Sequence, residues 1–372
     1  MTALAGTRIA VVTVAHRGDD ARIFFRQIRS LREAGATICY LAPPPQGAYD
    51  LKPPGTLERV LINRTSGWKR LGPWYQAFRE IRSRKGQFNA IIVHDLEAVF
   101  PVLCAKPGCP IIWDVHENNP AVVFDRGWMP NACKPALHSL ITLLERVIAK
   151  RCHIFLAEES YRERFGDQIV IPNTTYVPEI QPAFIPQNPP VVIYIGRISR
   201  SRGLYQMITL GKSLRHRIKV VLIGPVDAPD RLSLERAIND GSVDWLGPLP
   251  NAEALTHLQK ASVGLSLLEE TANFKNSMPT KIHEYLAHGV PVITTPLPMA
   301  VKAVRQSEGG TIVAPYDEDA LEDAVLKHTE DHAFRIAVGL RGHRWATENS
   351  NWLLDQNRFI NKVRSISSLT VN

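Results

Sequence analysis

The sequence predicts an α/β protein of two doubly wound, parallel-sheet (Rossmann-like) domains, and three observations predict it. Short β-branched runs alternate with longer amphipathic stretches along a chain of 372 residues, which is the beat of repeated βαβ units. The strand runs are almost continuously apolar, as expected of sheets covered on both faces. The beat stops once, where Pro172, Pro178, Pro182, Pro186, Pro189 and Pro190 crowd a stretch that neither helix nor central strand tolerates. The expected domains are 1–175, a proline-rich linker 176–190, a second domain 191–348, and a closing segment 349–372 that packs back on the first. Ligands of such sheets sit at the carboxyl ends of the strands, so a cleft faced by both domains is the expected site.

The elements follow in order. Arg8–Ala15 is an apolar strand; Arg22–Ala34 has helical spacing and is ended by Gly35; Thr37–Leu41 completes the first βαβ unit. Glu58–Ile62, a basic helix near Trp74–Arg84, Ala90–His94 and Ile111–Asp114 continue the first domain. The second series opens with Val191–Ile195, a helix after Gly203, Lys219–Ile223, a helix near Arg231–Asp240 and Val243–Leu246. Further strands are predicted at Val263–Leu268, Pro291–Thr294 and Thr311–Ala314, and Asn351–Ser365 reads as a final amphipathic helix.

Composition narrows the class. Hydrophobic residues at 45% and charged residues at 22% exclude a disordered or rod-like chain. No apolar run reaches the roughly 18 residues of a membrane span, and Met1–Ala15 lacks a signal-peptide cleavage pattern. Cys39, Cys104, Cys109, Cys133 and Cys152 are odd in number and contain no CxxC, which points to reduced thiols in a cytoplasm rather than disulfides or zinc. Lys plus Arg at 44 against Asp plus Glu at 36 gives a net charge of +8, which favours an anionic partner. Nucleic acid is the less suitable one, since no zinc finger or RNP-like aromatic motif is present.

Two segments carry candidate chemistry. After the strand Val191–Ile195, Gly196 permits a tight exit, Arg197 and Arg202 follow five apart, and Gly203 opens a helix. Two permanent cations and a helix N-terminus suit a diphosphate; the plain alternative is a pair of arginines on a solvated loop. In Asn276–Thr295, Pro279 and Thr280 start a helix, Lys281 lies in its first turn, and Glu284 lies one turn on. A first-turn lysine opposes the helix dipole, which a fixed anion would explain. A carboxylate at Glu284 could accept two hydrogen bonds from a vicinal diol such as ribose, or pair with Lys281 on the surface.

The pattern strand-G-R-x4-(K/R)-G, followed about 80 residues later by N-x2-P-x-K-x2-E-Y-x3-G-x-P-V, resembles the GT-B glycosyltransferases of family 4. His16–Gly35, Val93–Glu97, Trp113–Glu117 and Ser350–Phe359 are similar to further stretches of that family. The resemblance implies GT-B architecture and a retaining, metal-independent transfer of a sugar from a nucleotide diphosphate, with no cofactor. It implies that Arg197 and Arg202 hold the diphosphate, Lys281 faces it, Glu284 holds the ribose, and His116 reaches the transferred sugar. Gly18 would let backbone amides approach the diphosphate. Arg202 stands where the family often has lysine, and Asn276 stands where the first glutamate of an E-x7-E pair is common. A nucleotide-sugar epimerase and a non-catalytic nucleotide-sugar binder are the alternatives; the first strand lacks the GxGxxG of a dinucleotide oxidoreductase.

Weaker constellations complete the reading. His94-Asp95 with Asp114-x-His116-Glu117 can be drawn as a metal site but matches no metal signature, and none is expected. Asp317-Glu318-Asp319 reads as a helix cap. His16, His138, His283 and His288 read as surface or structural histidines. Arg64–Gly86 interleaves seven cations and Glu80 with Trp68, Trp74, Tyr75 and Phe78, offering a peripheral contact with an anionic membrane near a lipid-linked acceptor, or an ordinary helix with one core-facing side.

Overall fold

The computed structural model describes residues 3–45, 56–65, 70–124, 129–179, 184–185, 187–272 and 274–369. Trp68, Lys69, Pro182 and Pro186 of the sequence reading lie outside the described residues. The chain divides into two compact units: unit 1 is Met1–Asn173 with Leu353–Asn372, and unit 2 is Thr174–Trp352.

Unit 1 is built on a parallel sheet of β1 (Arg8–Val12), β2 (Thr37–Ala42), β3 (Leu57–Leu61), β4 (Ala90–Val93), β5 (Ile111–Val115), β6 (His153–Leu156) and β7 (Ile169–Val170), ordered β3-β2-β1-β4-β5-β6-β7. Its helices include α1 (Arg29–Glu33), continuing a π-helical stretch Ala21–Ile28, then α2 (Leu71–Ser83), α3 (Leu96–Ala105), α4 (Asn119–Val122), α5 (Lys134–Ala149) and α6 (Arg162–Phe165). Alternate strand residues build the core: Ala10, Val12, Ile91, Val93 and Trp113 pack with Ala77 and Ile81 of α2 and Val99 and Val102 of α3. Trp74 and Phe78 of α2 pack against this core, whereas Leu71 and Tyr75 are exposed. On the opposite face Phe155 meets Phe359 edge-on at 6.0 Å, and Arg358 donates to the Val170 carbonyl.

Unit 2 repeats the plan with β8 (Val191–Ile195), β9 (Lys219–Ile223), β10 (Asp244–Trp245), β11 (Ala261–Ser266), β12 (Val292–Thr294) and β13 (Gly310–Ile312), all parallel and ordered β10-β9-β8-β11-β12-β13. Its helices are α7 (Leu204–Ser213), α8 (Arg231–Asn239), α9 (Asn251–Thr256), α10 (Thr280–Ala287), α11 (Pro298–Ser307), α12 (Glu318–Glu330) and α13 (His332–Asn349); α14 (Trp352–Ser367) closes the chain. Period-two alternation splits the strands between two cores. Val192, Tyr194, Val220, Leu222 and Leu265 face α7, α8 and α12. Ile193, Ile195, Val221 and Ile223 face α10 and α11. Asp317 caps α12, its Oδ1 accepting from the Ala320 amide at 3.0 Å.

These sheets are doubly wound, as the alternating pattern predicts. Strand order reverses between β1 and β4 in unit 1 and between β8 and β11 in unit 2. Each reversal leaves a crevice at the strands' carboxyl ends, where loops diverge to opposite sides.

Candidate functional site

In unit 2 the crevice is lined by the turn after β8 and the start of α10. Gly196 leaves β8 with φ +135°, its amide bonded to the Ile223 carbonyl, and the carbonyl of Gly196 lies so near Gly224 that a Cβ there would stand 2.0 Å away. Only glycine at 224 allows that approach. The turn Arg200–Arg202 ends in Gly203, whose φ of +86° starts α7.

Arg202 is half-buried, with its guanidinium carbon 4.7 Å from the centre of the Phe274 ring. Lys281 is only 5% exposed; its Nζ lies 3.8 Å from the centre of the Tyr194 ring and has no hydrogen-bond acceptor. A side chain at Gly196 would meet that ammonium at 3.6 Å, so the lysine tip is laid against the strand exit. Burial, and then the Arg202 charge, hold Lys281 well below the ordinary lysine range, with Glu284 in partial offset. Glu284 is 6% exposed, and its Oε1 accepts from Asn251 Nδ2 at 3.1 Å. Both members of the i,i+3 pair are thus buried on the sheet side of α10 instead of forming a surface ion pair.

Two of the candidate residues stand apart from Lys281 and Glu284. Arg197 does not present a free guanidinium beside Arg202: its Nε is 2.5 Å from Asp227 Oδ1. The cause is a bridge between Ile198 and Val226 and the Asp227 amide bonded to the Ile198 carbonyl, which bring the two loops into register. Asn276 lies on an exposed turn ahead of α10, away from Lys281 and Glu284 in burial.

In unit 1 the crevice gathers residues following β1, β4 and β5. Asp95 Oδ2 accepts from Thr13 Oγ1 at 2.7 Å, the Val14 amide at 2.5 Å and the Ala15 amide at 3.1 Å, while Oδ1 is 3.1 Å from His16 Nε2. Burial alone would raise Asp95; the His16 charge and these hydrogen bonds outweigh it and hold the carboxyl far below its usual range. His116 contacts the Asp114 carbonyl through Nδ1 and His16 through Nε2, both at 3.1 Å. A carbonyl only accepts, so Nδ1 carries the proton and Nε2 presents a lone pair. Burial first, then the His16 charge, push His116 down to about 4, so it is a neutral acceptor.

The sequence alone predicts a surface or structural histidine at His16. The structure places it against His116, an association across 100 residues that its sequence neighbours do not signal. Gly18 donates its own amide to the Pro43 carbonyl at 3.0 Å, and a Cβ there would sit 2.7 Å from that oxygen. The glycine serves close packing of this loop.

His94, Asp114 and His116 each bring one possible ligand atom within 4.8 Å of the others. The donor set does not fit a cation. Asp114 already accepts from Arg22 Nη2 at 2.7 Å, Arg22 Nε at 2.8 Å and Gln27 Nε2 at 2.8 Å, and the Arg22 guanidinium would repel an ion there. This pairing also explains a charged residue in the apolar run IIWDV, a signal that a buried partner is required.

Residues 189–331 match the family model described as Glycosyl transferases group 1. The chain is 26% identical over 169 residues to the capsular polysaccharide biosynthesis glycosyltransferase CapM of Staphylococcus aureus, a match covering 41% of this chain and 40% of that protein. It thus spans about two fifths of the length of that curated relative. Its fold is similar to sucrose-phosphate synthase from Thermosynechococcus elongatus, with a TM-score of 0.74, 18% identity and coverage of 96% and 98% of the two chains. It is also similar to Alr3699/HepE of Anabaena, solved with UDP and glucose, with a TM-score of 0.68, 12% identity and coverage of 98% and 100%. No helix among the described residues is long and apolar enough to cross a membrane. Residues 189–331, which carry the second sheet, are thus similar to the group 1 glycosyl transferases, and nearly the whole chain has the GT-B fold.

Proposed function

We propose that this chain is a retaining glycosyltransferase that moves a sugar from a nucleotide-diphosphate donor to a saccharide or lipid-linked acceptor, without a metal or organic cofactor, in polysaccharide biosynthesis. The observation that carries the reading is Lys281. A fully shielded ammonium with no acceptor, next to the Arg202 guanidinium, is costly in an empty protein and favourable once an anion sits between them. A diphosphate supplies that anion with charge to spare. As the bond from sugar to diphosphate breaks, negative charge grows on the leaving group, and cations fixed in advance in a low-dielectric crevice lower the barrier. Glu284, oriented by Asn251, accepts from the ribose hydroxyls. His116, neutral at Nε2, accepts from a hydroxyl of the transferred sugar once His16 gives way. Arg197 joins the phosphates only by exchanging Asp227 for them. The capsular-polysaccharide relative and the UDP and glucose in the HepE structure support the pathway and the donor class. Contact of unit 1 with an anionic lipid surface through α2, whose Leu71 and Tyr75 are exposed among arginines, belongs to the same proposal.

The test is a thermal-shift panel of UDP-, GDP-, ADP- and TDP-glucose. At a hundredfold excess over Kd, the correct nucleotide sugar stabilises the wild type by about 2.7 kcal/mol. In Lys281→Met that stabilisation disappears at the same concentration. A flat response to every nucleotide sugar in the wild type overturns the donor reading.

A further inference from the structure

Unit 1 has a second polar feature that the donor chemistry leaves unused. A cavity of about 60 Å³ opens at the carboxyl end of β1, lined by Val14, Ala15, Arg64, Arg70, Trp74 and Glu97 among others. That is room for about four waters, or for the head of one small oxyanion. It adjoins His16 in sequence and lies at the strand-order reversal of this sheet, where α/β ligands bind.

Its polar groups share one need. The indole nitrogen of Trp74 is shielded from solvent and has no acceptor, although the ring packs on the core. Buried N–H groups are normally paired, so this donor is missing a partner. Arg64 is held below the usual arginine range, first by burial and then by repulsion from Arg17 and Arg70, with Asp19 in partial offset. Among the described residues neither Arg17 nor Arg64 forms an ion pair, while Arg70 pairs with Glu97 at 2.5 Å. Three guanidiniums against Asp19 and Glu97 leave a net positive charge. Arg70 is moreover the N-cap of the 13-residue α2 and caps it with no side-chain acceptor, placing a cation at the positive end of the helix dipole. An oxyanion answers every one of these features: it accepts from the indole, bridges the unpaired guanidiniums and faces the first turn of α2.

We propose that this pocket binds an oxyanion, a phosphate or carboxylate group, carried by the acceptor. The pocket's affinity for an oxyanion stands on its own geometry; its assignment to the acceptor rests on the glycosyl-transfer reading above. Bound there, an anionic acceptor would lie beside His16 and His116 at the strand ends, and neutral saccharides would lack the anchor.

Fluorine NMR of fluorotryptophan-labelled full-length protein tests this, with the Trp74 resonance assigned through Trp74→Phe and ionic strength held constant with sodium chloride. Inorganic phosphate, sodium glucuronate and neutral methyl glucoside are titrated separately. A saturable shift of Trp74 with phosphate alone supports a phosphorylated acceptor, with glucuronate alone a uronate-bearing one, and with both a general oxyanion site. In each case Arg64→Gln, a change at an exposed position, weakens the response about tenfold, the loss of one charge-assisted contact. The response persists in Lys281→Met, which separates this pocket from the donor site. Failure of both anions to move Trp74, an equal shift with methyl glucoside, or an unchanged response in Arg64→Gln overturns the proposal. A failed nucleotide-sugar panel with an intact Trp74 response would remove the donor reading and leave the pocket.

Discussion

In unit 1, Asp114 is fully buried and accepts hydrogen bonds from Arg22 and Gln27, with His94 Nδ1 3.1 Å away; in unit 2, Lys281 is only 5% exposed, lies against the Tyr194 ring and has no hydrogen-bond acceptor. The same fold plan thus stores charge in two ways at equivalent strand-end crevices. A buried ion whose partners come from its own chain orders the crevice and is complete without a ligand. A buried ion without an acceptor is a deficit that the chain does not fill, and under the proposed function a substrate's charge fills it. The difference teaches that burial of a charged group is not itself the sign of a site; the missing counter-charge is.

The largest effect should come from turning the first case into the second. Asp114→Asn keeps the shape and removes the charge facing Arg22, so an uncompensated guanidinium remains in the core. Unit 1 should lose about 3–5 kcal/mol, read as a lower urea midpoint for its transition. Lys281→Met removes a cation that strands no hydrogen-bond acceptor, and the unliganded protein should be as stable as wild type or more so. Equal destabilisation by both would break the comparison, because Lys281 would then be paired in solution.

The next effect falls on turnover. Arg202 stacks on Phe274 and adds its charge beside Lys281, so Arg202→Ala should lower kcat by about 10²–10³, the loss of one preorganised cation, while Arg202→Lys keeps much of the rate. Donor consumption with saturating nucleotide sugar is the measurement, and wild-type turnover by Arg202→Ala would take the guanidinium out of the mechanism.

What the sequence showed, and what it hid, follows the range of the interactions. Strands such as Val191–Ile195 and Lys219–Ile223 are legible because burial on both faces leaves a continuous apolar run in the chain itself. The reversal points follow less directly, since order within a sheet is a property of pairing between distant segments. Lys281 is conspicuous locally, as a cation in a first helical turn, and its position can be noticed without coordinates. Its burial cannot, because that depends on Tyr194 and Gly196 about ninety residues earlier. Arg197 misleads for the same reason: its partner Asp227 arrives on another loop, aligned by the bridge from Ile198 to Val226. His16 gives only a weak local sign, Asp20 four residues on at 3.8 Å, since its nearer partners Asp95 and His116 come from other strand ends.

That pairing of His16 supports the smallest of the effects, a pH dependence confined to unit 1. Burial by itself would lower the imidazole; the Asp95 charge and hydrogen bond outweigh it, with Asp20 and Glu117 adding to them, and raise it from 6.5 to about 10. The neighbouring His116 stays neutral on the other side of the same nitrogen. The folded protein therefore keeps a proton that the unfolded chain releases above pH 6.5. The stability this gives is whole below 6.5 and is lost as pH rises through about 10. His16→Gln, which can still donate to Asp95, should flatten that part of the profile: between neutral pH and about 10 the wild-type Tm should fall a few degrees more than that of the variant. Parallel profiles would mean that His16 is not held as an imidazolium on Asp95. The crevice of unit 1 would then lack the closed charge balance that sets it apart from unit 2.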